Sequence, residues 1–210
     1  MGCCDELRSE EVSEIKSDVT WHEGSVSRSE RWRQFGLHGC SIWLTGLSGS
    51  GKSSLCDAVS VELLKRKVPF SVLDGDNVRH GLSADLSLSE SDRRENIRRL
   101  GEAALLLADA GLVVLVAAVS PFAVDRNKVR LRHETVGLQF HEVFVDAPIE
   151  VCESRDPKSI YARFRDGEIS GLTGIDAPYE APIDPELHLK TSELSVEESC
   201  RRIMGLLRHT

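Results

Sequence analysis

Residues 46–53 read Gly46-Leu47-Ser48-Gly49-Ser50-Gly51-Lys52-Ser53, a lysine and a hydroxyl behind three glycines at the spacing G-x-x-x-x-G-K-[ST]. Each residue type has a chemical reason. Glycines let backbone N–H groups turn inward around phosphates, and a helix N-terminus behind them adds positive potential. Lys52 is placed to reach β- and γ-phosphates, and the Ser53 hydroxyl to sit on Mg²⁺. Ser54 continues the motif into the first helical turn. A Gly/Ser-rich turn without a ligand is the ordinary alternative. The complete motif, between the apolar run 41–45 and a helical pattern, argues instead for a nucleoside triphosphate.

A second set of chemistry-bearing residues follows the next apolar run: Leu73-Asp74-Gly75-Asp76-Asn77-Val78-Arg79. Beside a Mg²⁺-nucleotide, one carboxylate can order the metal's waters while the other accepts a proton from an incoming hydroxyl. A solvated Asp-Gly turn is the competing reading. Arg79 tips the balance, because a guanidinium suits bidentate capture of phosphate or sulfate. In Asp92-Arg93-Arg94-Glu95-Asn96-Ile97-Arg98-Arg99, helical spacing puts Arg93 and Asn96 on one face and Arg94 and Arg98 on another. The first pair reads as a second anion site, the second as a solvated face with Glu–Arg pairing. Ser120, in Val119-Ser120-Pro121, can donate to an acceptor phosphate or cap the helix starting near Phe122. A covalent role for it needs a neighbouring base, which the sequence does not reveal. Arg155-Asp156-Pro157-Lys158 supplies further cations, and Gly167, Gly171 and Gly174 supply hinge freedom. Together they suggest a lid whose closure excludes water.

These groups need a scaffold that brings them to one edge. Short apolar runs alternate with helical patterns from residue 41 onward, which predicts β-α units around a parallel sheet. Strands are expected at 41–45, 69–74, 112–119, 140–146 and 187–190. Helices are expected at about 52–67, stopping before Pro69, at about 89–110, ending at Gly111, and at about 195–208. Residues 156–184, rich in Gly, Pro and charge, read as the lid. The domain reading is a disordered polar tail over 1–20, an N-terminal arm over 21–40, and the catalytic domain over 41–210. The fold class is α/β: a doubly wound, mostly parallel five-stranded sheet with helices on both faces, and ligands at the strand C-termini.

The formal net charge of −8 over 210 residues argues against nucleic acid as a partner, since that needs a basic face. Six cysteines (Cys3, Cys4, Cys40, Cys56, Cys152, Cys200) lack metal-ligand spacing and read as reduced thiols of a cytoplasmic enzyme. No window approaches the ~18 apolar residues of a membrane helix, so no membrane partner is expected. The acidic first twenty residues read as neither a secretory signal nor a transit peptide. Met1-Gly2-Cys3-Cys4 hints at acylation, but Glu6 stands where myristoylation prefers Ser or Thr.

In order, the blocks Trp21-His22, 46–53, Leu73 to Leu82, Asp92 to Arg99, Ala108 to Leu112, Ser120-Pro121-Phe122, Phe144 to Pro148, Cys152 to Lys158 and Thr173 to Glu180 resemble the adenylylsulfate kinase family. The resemblance covers about 19–206. It implies a P-loop kinase fold and transfer of the ATP γ-phosphate to the 3′-hydroxyl of adenosine 5′-phosphosulfate, with Mg²⁺. It casts Asp76 as the group that orients or deprotonates the acceptor hydroxyl, with Lys52 on the donor and Asp74 and Ser53 near the metal. It places Arg155 against the ATP base. Acceptor contacts are implied for Asp74 to Arg79, Arg93 to Asn96 (Arg94 and Glu95 included), Val119, Ser120, Lys158 and Gly171. Ser120 sits where the family carries a phosphoserine. Direct in-line transfer, needing only positioning and charge stabilisation, is the reading preferred here.

Two departures stand out. Where the family stacks the acceptor adenine between two phenylalanines, this chain has Leu88 and Leu172. That exchange loses aromatic stacking, worth ~1–3 kcal/mol per base in single-strand binding proteins. The segment Ala162 to Gly167 replaces a more basic, alanine-rich helix, with Phe164 positioned to refill aromatic contact. The resemblance also suggests a homodimer, with Trp21, Trp32 and Phe35 free to pack on a partner, and work beside an ATP sulfurylase. Two other functions stay open: a kinase for a different small hydroxyl acceptor, and a nucleotide-binding sensor without turnover. A GTPase-type base reader is absent, since Asn127-Lys128-Val129-Arg130 does not supply Asn-Lys-x-Asp.

Overall fold

The computed structural model describes Thr20, His22 and residues 24–207. Residues 1–19 of the expected tail, Cys3 and Cys4 among them, and Trp21 lie outside the described residues. Five strands, β1 (Cys40–Thr45), β2 (Phe70–Asp74), β3 (Val113–Ala117), β4 (Gln139–Asp146) and β5 (Leu187–Lys190), form one sheet in the order β2-β3-β1-β4-β5. Every pairing is parallel. The run over 112–119 yields a shorter strand, Val113–Ala117, than its apolar length suggested, and Ala118 and Val119 just beyond it line a cleft.

Helices cover both faces, so the central strands are apolar on both sides, as parallel sheets require. On one face Ile42, Leu44, Leu115 and Val143 pack on α2 (Lys52–Lys65) and α7 (Val196–Leu206) through Leu55, Val59, Leu63 and Ile203. On the other, Trp43, Val114 and Val116 meet α3 (Glu90–Asp109) and α4 (Ala123–Thr135) through Ile97, Leu100, Ala104 and Val129. Alternation along β1 divides the two clusters: Ile42 and Leu44 point one way, Trp43 the other. Ser89 caps α3 by accepting from the Asp92 N–H, and Ser195 caps α7 by accepting from the Glu198 N–H.

The arm differs from expectation. Helix α1 (Arg28–Phe35) starts on a Ser27/Glu30 capping box and ends at Gly36 in the left-handed region. Its Trp32 turns onto its own chain, packing on the α3–α4 core and donating Nε1–H to Asp109 O at 3.0 Å. Arg31 pairs with the Asp109 carboxylate at 2.5 Å. Trp32 is therefore not held out for a partner, whereas Phe35 remains 70% exposed.

The lid is also more ordered than its composition suggested. Within 156–184 it contains a short α6 (Ile160–Arg165), and α5 (Ile149–Arg155) leads directly into it. Tyr161, Cys152, Ala147 and Leu172 form its own buried cluster, with Leu47 and Phe164 against it.

Candidate active site

Backbone geometry at the end of β1 makes the cradle expected for phosphates. A Cβ on Gly46 would meet Val145 O at 2.2 Å, and one on Gly49 would meet Cys152 O at 2.6 Å, so the loop closes only with glycine there. Gly51, at φ +106°, turns the chain into α2. Lys52 Nζ donates to Gly46 O (2.8 Å) and Leu47 O (2.7 Å), folding over its own loop. Burial pushes its pKa down to about 8, a charge waiting for an anionic partner.

Ser53 Oγ donates to Asp74 Oδ2 at 2.9 Å, tying the loop to the end of β2. Asp74 Oδ1 accepts from the N–H groups of Asp76 (2.9 Å) and Asn77 (3.4 Å). Partial burial works against the Asp74 carboxylate, but these hydrogen bonds outweigh it and hold its pKa below the ordinary value. A hydroxyl and an ionised carboxylate side by side form a hard oxygen pair suited to Mg²⁺, which takes few protein ligands and completes its shell with phosphate and water. Among the described residues no cluster of three or more His, Cys, Asp or Glu could hold a metal.

Asp76 lies beyond Asp74 on the same edge, and the lid's Lys158 ammonium sits on its Oδ2. Burial disfavours that ammonium, yet the bond to Asp76 outweighs it and raises Lys158's pKa. One cleft of about 440 Å³ is lined by 48–55, Asp74, Asp76, Val119, Arg155, Lys158 and Thr191. Arg155 closes its donor end, donating to Thr191 O at 2.8 Å and to Gly49 O and Ser50 O at 3.4 Å.

The acceptor-side groups are gathered from separate segments. Arg93 donates to Gly171 O (2.7 Å), Thr173 Oγ1 (3.1 Å) and Leu88 O (2.8 Å), bridging α3 to the lid. Arg79 donates to Ser87 O at 2.9 Å. Asn96 is buried with its Oδ1 unpartnered, a polar atom still requiring a donor. Val78 is half-buried and packs on the α3 side of the core.

Three expected contacts sit differently. Arg94 pairs with Glu90 and Asp125 and lies 4.1 Å from the Phe122 ring centroid. Glu95 is held by Arg98 and Arg99, with its pKa pulled down to about 2. Both are occupied within the α3 surface. Leu172 is 6% exposed inside the buried cluster with Tyr161 and Cys152, while Leu88 is 66% exposed. Phe164 likewise packs into the lid.

Ser120 is 2% exposed at φ +41°. Its Oγ accepts from Trp43 Nε1 (3.1 Å) and donates to Thr45 Oγ1 (2.9 Å). Neither is a base, so no hydrogen bond here activates the hydroxyl as a nucleophile.

Sequence reasoning missed Thr45, Thr191, Tyr179 and the buried Arg126–Glu142 pair. Thr191 carried a weak signal, following directly on the last predicted strand at the ligand edge.

A family model described as adenylylsulphate kinase matches residues 38–190. An adenylyl-sulfate kinase of Lactiplantibacillus plantarum is 50% identical over 194 residues, 92% of this chain and 93% of that protein. One from Marinobacter nauticus is 50% identical over 192 residues, 91% of this chain and 96% of that protein. The solved structure of the Mycobacterium tuberculosis APS kinase CysC, in complex with AMPPNP and APS, superposes with a TM-score of 0.79 at 49% identity, covering 82% of this chain and 99% of that one. Cradle, paired carboxylates and lid thus lie on a fold and a sequence shared along nearly the whole length: this chain belongs to the adenylylsulphate kinase family.

Proposed function

We propose that the chain transfers the γ-phosphoryl group of ATP to the 3′-hydroxyl of adenosine 5′-phosphosulfate, giving the 3′-phosphorylated product and ADP. The observation that carries this is one cleft holding both the phosphate loop and the Asp76 carboxylate with a lid lysine on it. Amides of 46–53 and Lys52 hold the donor phosphates. Asp76 accepts the acceptor proton as the 3′-oxygen attacks the γ-phosphorus, and the bond from that phosphorus to the β-phosphate oxygen breaks. Lys158 moves from Asp76 to the phosphates as the lid closes, freeing the carboxylate. Arg79, Arg93 and Asn96 bind the anionic end of the acceptor. Ser53 and Asp74 hold Mg²⁺, which when bound neutralises charge on the transferring phosphates.

Family resemblance further supports a homodimer that works beside an ATP sulfurylase. A cytoplasmic setting suits the buried free thiols Cys40, Cys56, Cys152 and Cys200, and no helix among the described residues is long and apolar enough to cross a membrane. Incubation with Mg-ATP and adenosine 5′-phosphosulfate should yield product phosphorylated on the 3′-oxygen. Absence of product above background, or preference for another hydroxyl acceptor in a competition panel, would reject the reading.

A further inference from the structure

Away from the reacting atoms, one buried guanidinium joins two segments that are far apart in sequence. Arg126, on α4, is 2% exposed. Its Nε donates to Glu142 Oε1 (2.6 Å), its Nη1 to Ser120 O (2.7 Å) and its Nη2 to Glu180 O (2.7 Å). Ser120 belongs to the turn after β3 and has the positive φ noted above. Glu180 belongs to the stem by which the lid returns to the sheet. Around this centre the stem and turn exchange further bonds. Glu180 N–H donates to Pro121 O at 2.8 Å, and Glu180 Oε2 accepts from the first amide of α4, Ala123 N–H, at 2.7 Å. Tyr179 Oη and Thr45 Oγ1 are 3.0 Å apart, and Thr45 Oγ1 donates to Val119 O at 2.8 Å.

We propose that Arg126 is a positioning residue for the acceptor side: its fork locks the lid's return stem to the Val119–Ser120–Pro121 turn, so that lid placement and turn geometry are set together. A planar guanidinium can span two carbonyls and a carboxylate at fixed angles, whereas an ammonium is a point donor that cannot hold all three. A burial this deep also has no ready structural rationale by stability alone, because a well-packed apolar pair of similar volume is often as stable as a buried ion pair. The proposal rests on the transfer reaction above, and its test separates the two.

Arg126→Lys keeps a cation for Glu142 but loses the fork. Arg126→Met/Glu142→Gln removes both charges, leaving no unpaired carboxylate if the lysine variant folds poorly. In whichever variant folds, kcat/KM for the acceptor is expected to fall on the order of 100-fold, the scale of a small misplacement transmitted to a reacting pair. KM for ATP stays at the parental value, and the amides of Glu180 and Ala123 exchange faster together by hydrogen–deuterium measurement. Parental acceptor kinetics with unchanged exchange at both amides, whatever happens to Tm, would overturn the proposal. An inactive parent enzyme would instead reject the transfer reaction while the exchange measurement still judged the clamp.

Discussion

The proposed donor half of the site is made from main chain contiguous in sequence, and the proposed acceptor half from side chains of the β2 edge, α3, the turn after β3, and the 156–184 segment. Between Gly46 and Ser53 the cradle is complete within eight residues, its shape forced by Val145 O and Cys152 O pressing on glycines. Opposite it, Asp76 and Lys158 meet because the segment after β2 and the 156–184 segment converge, Arg93 and Asn96 come from α3, and several of these side chains bind one another or the backbone. Arg93 clasps Gly171 O, and Lys158 sits on Asp76. A cradle of amides is preorganised whether or not ligand is present, whereas a side-chain site must exchange internal partners for ligand. The donor half should therefore tolerate change poorly but bind predictably; the acceptor half should be where affinity and selectivity are adjustable.

Substitutions that treat the halves differently sharpen this contrast. Asp76→Asn should lower kcat by roughly 10²–10⁴, the span of general-base catalysis, with acceptor Kd by calorimetry near parental. Near-normal turnover would remove the proton-accepting role. Lys52→Met should lower kcat by about 10²–10³, as loss of one transition-state donor does, leaving acceptor binding intact. Equal loss on both sides would break the division.

The two leucines test the adjustable side. Leu88→Phe, at an exposed position, should tighten acceptor binding by about 1 kcal/mol, the low end for aromatic stacking on a base. Leu172→Phe, in the packed lid cluster, should instead overpack and cost ~1–3 kcal/mol of stability by thermal denaturation. Identical outcomes for the two would mean they share one slot after all.

The smallest effect is protonic. Lys52 is a base whose folded-state pKa lies below its unfolded value, so the unfolded chain holds more protons between about pH 8 and 10.5. Ligand-free stability from this group therefore rises with pH across that window. Phosphate oxygens restore the ammonium, so ATP binding near pH 8.5 should take up protons, measurable by calorimetry in buffers of different ionisation enthalpy. Lys52→Met should abolish the uptake.

This contrast also decides what the sequence could show. The five strands and the helices after the cradle and after residue 89 were legible to within a few residues, because alternation, caps and Gly111 are local signals. The cradle was legible for the same reason. Arg126 was not: in Ala123 to His133, crowded with Asp, Arg and Lys, it looks like one more solvated charge, and only its tertiary partners Glu142, Ser120 O and Glu180 O remove it from water. Trp32 is misread similarly, since an apolar residue in a polar arm gives no sign that Asp109 O lies opposite its indole. Leu88 and Leu172 match in sequence role yet differ in burial, a distinction made by lid packing rather than by spacing. Helix α6, six residues long, is too short for periodicity to register.

The proposed reaction is a single direct transfer, from ATP held by main-chain amides to an oxygen prepared by Asp76, with the buried Ser120 hydroxyl as structure. Turnover of ATP made chiral at the γ-phosphorus tests it most directly. One in-line displacement predicts inverted configuration in the 3′-phosphate of the product; retention, the mark of two successive displacements through a phosphorylated side chain, would contradict it.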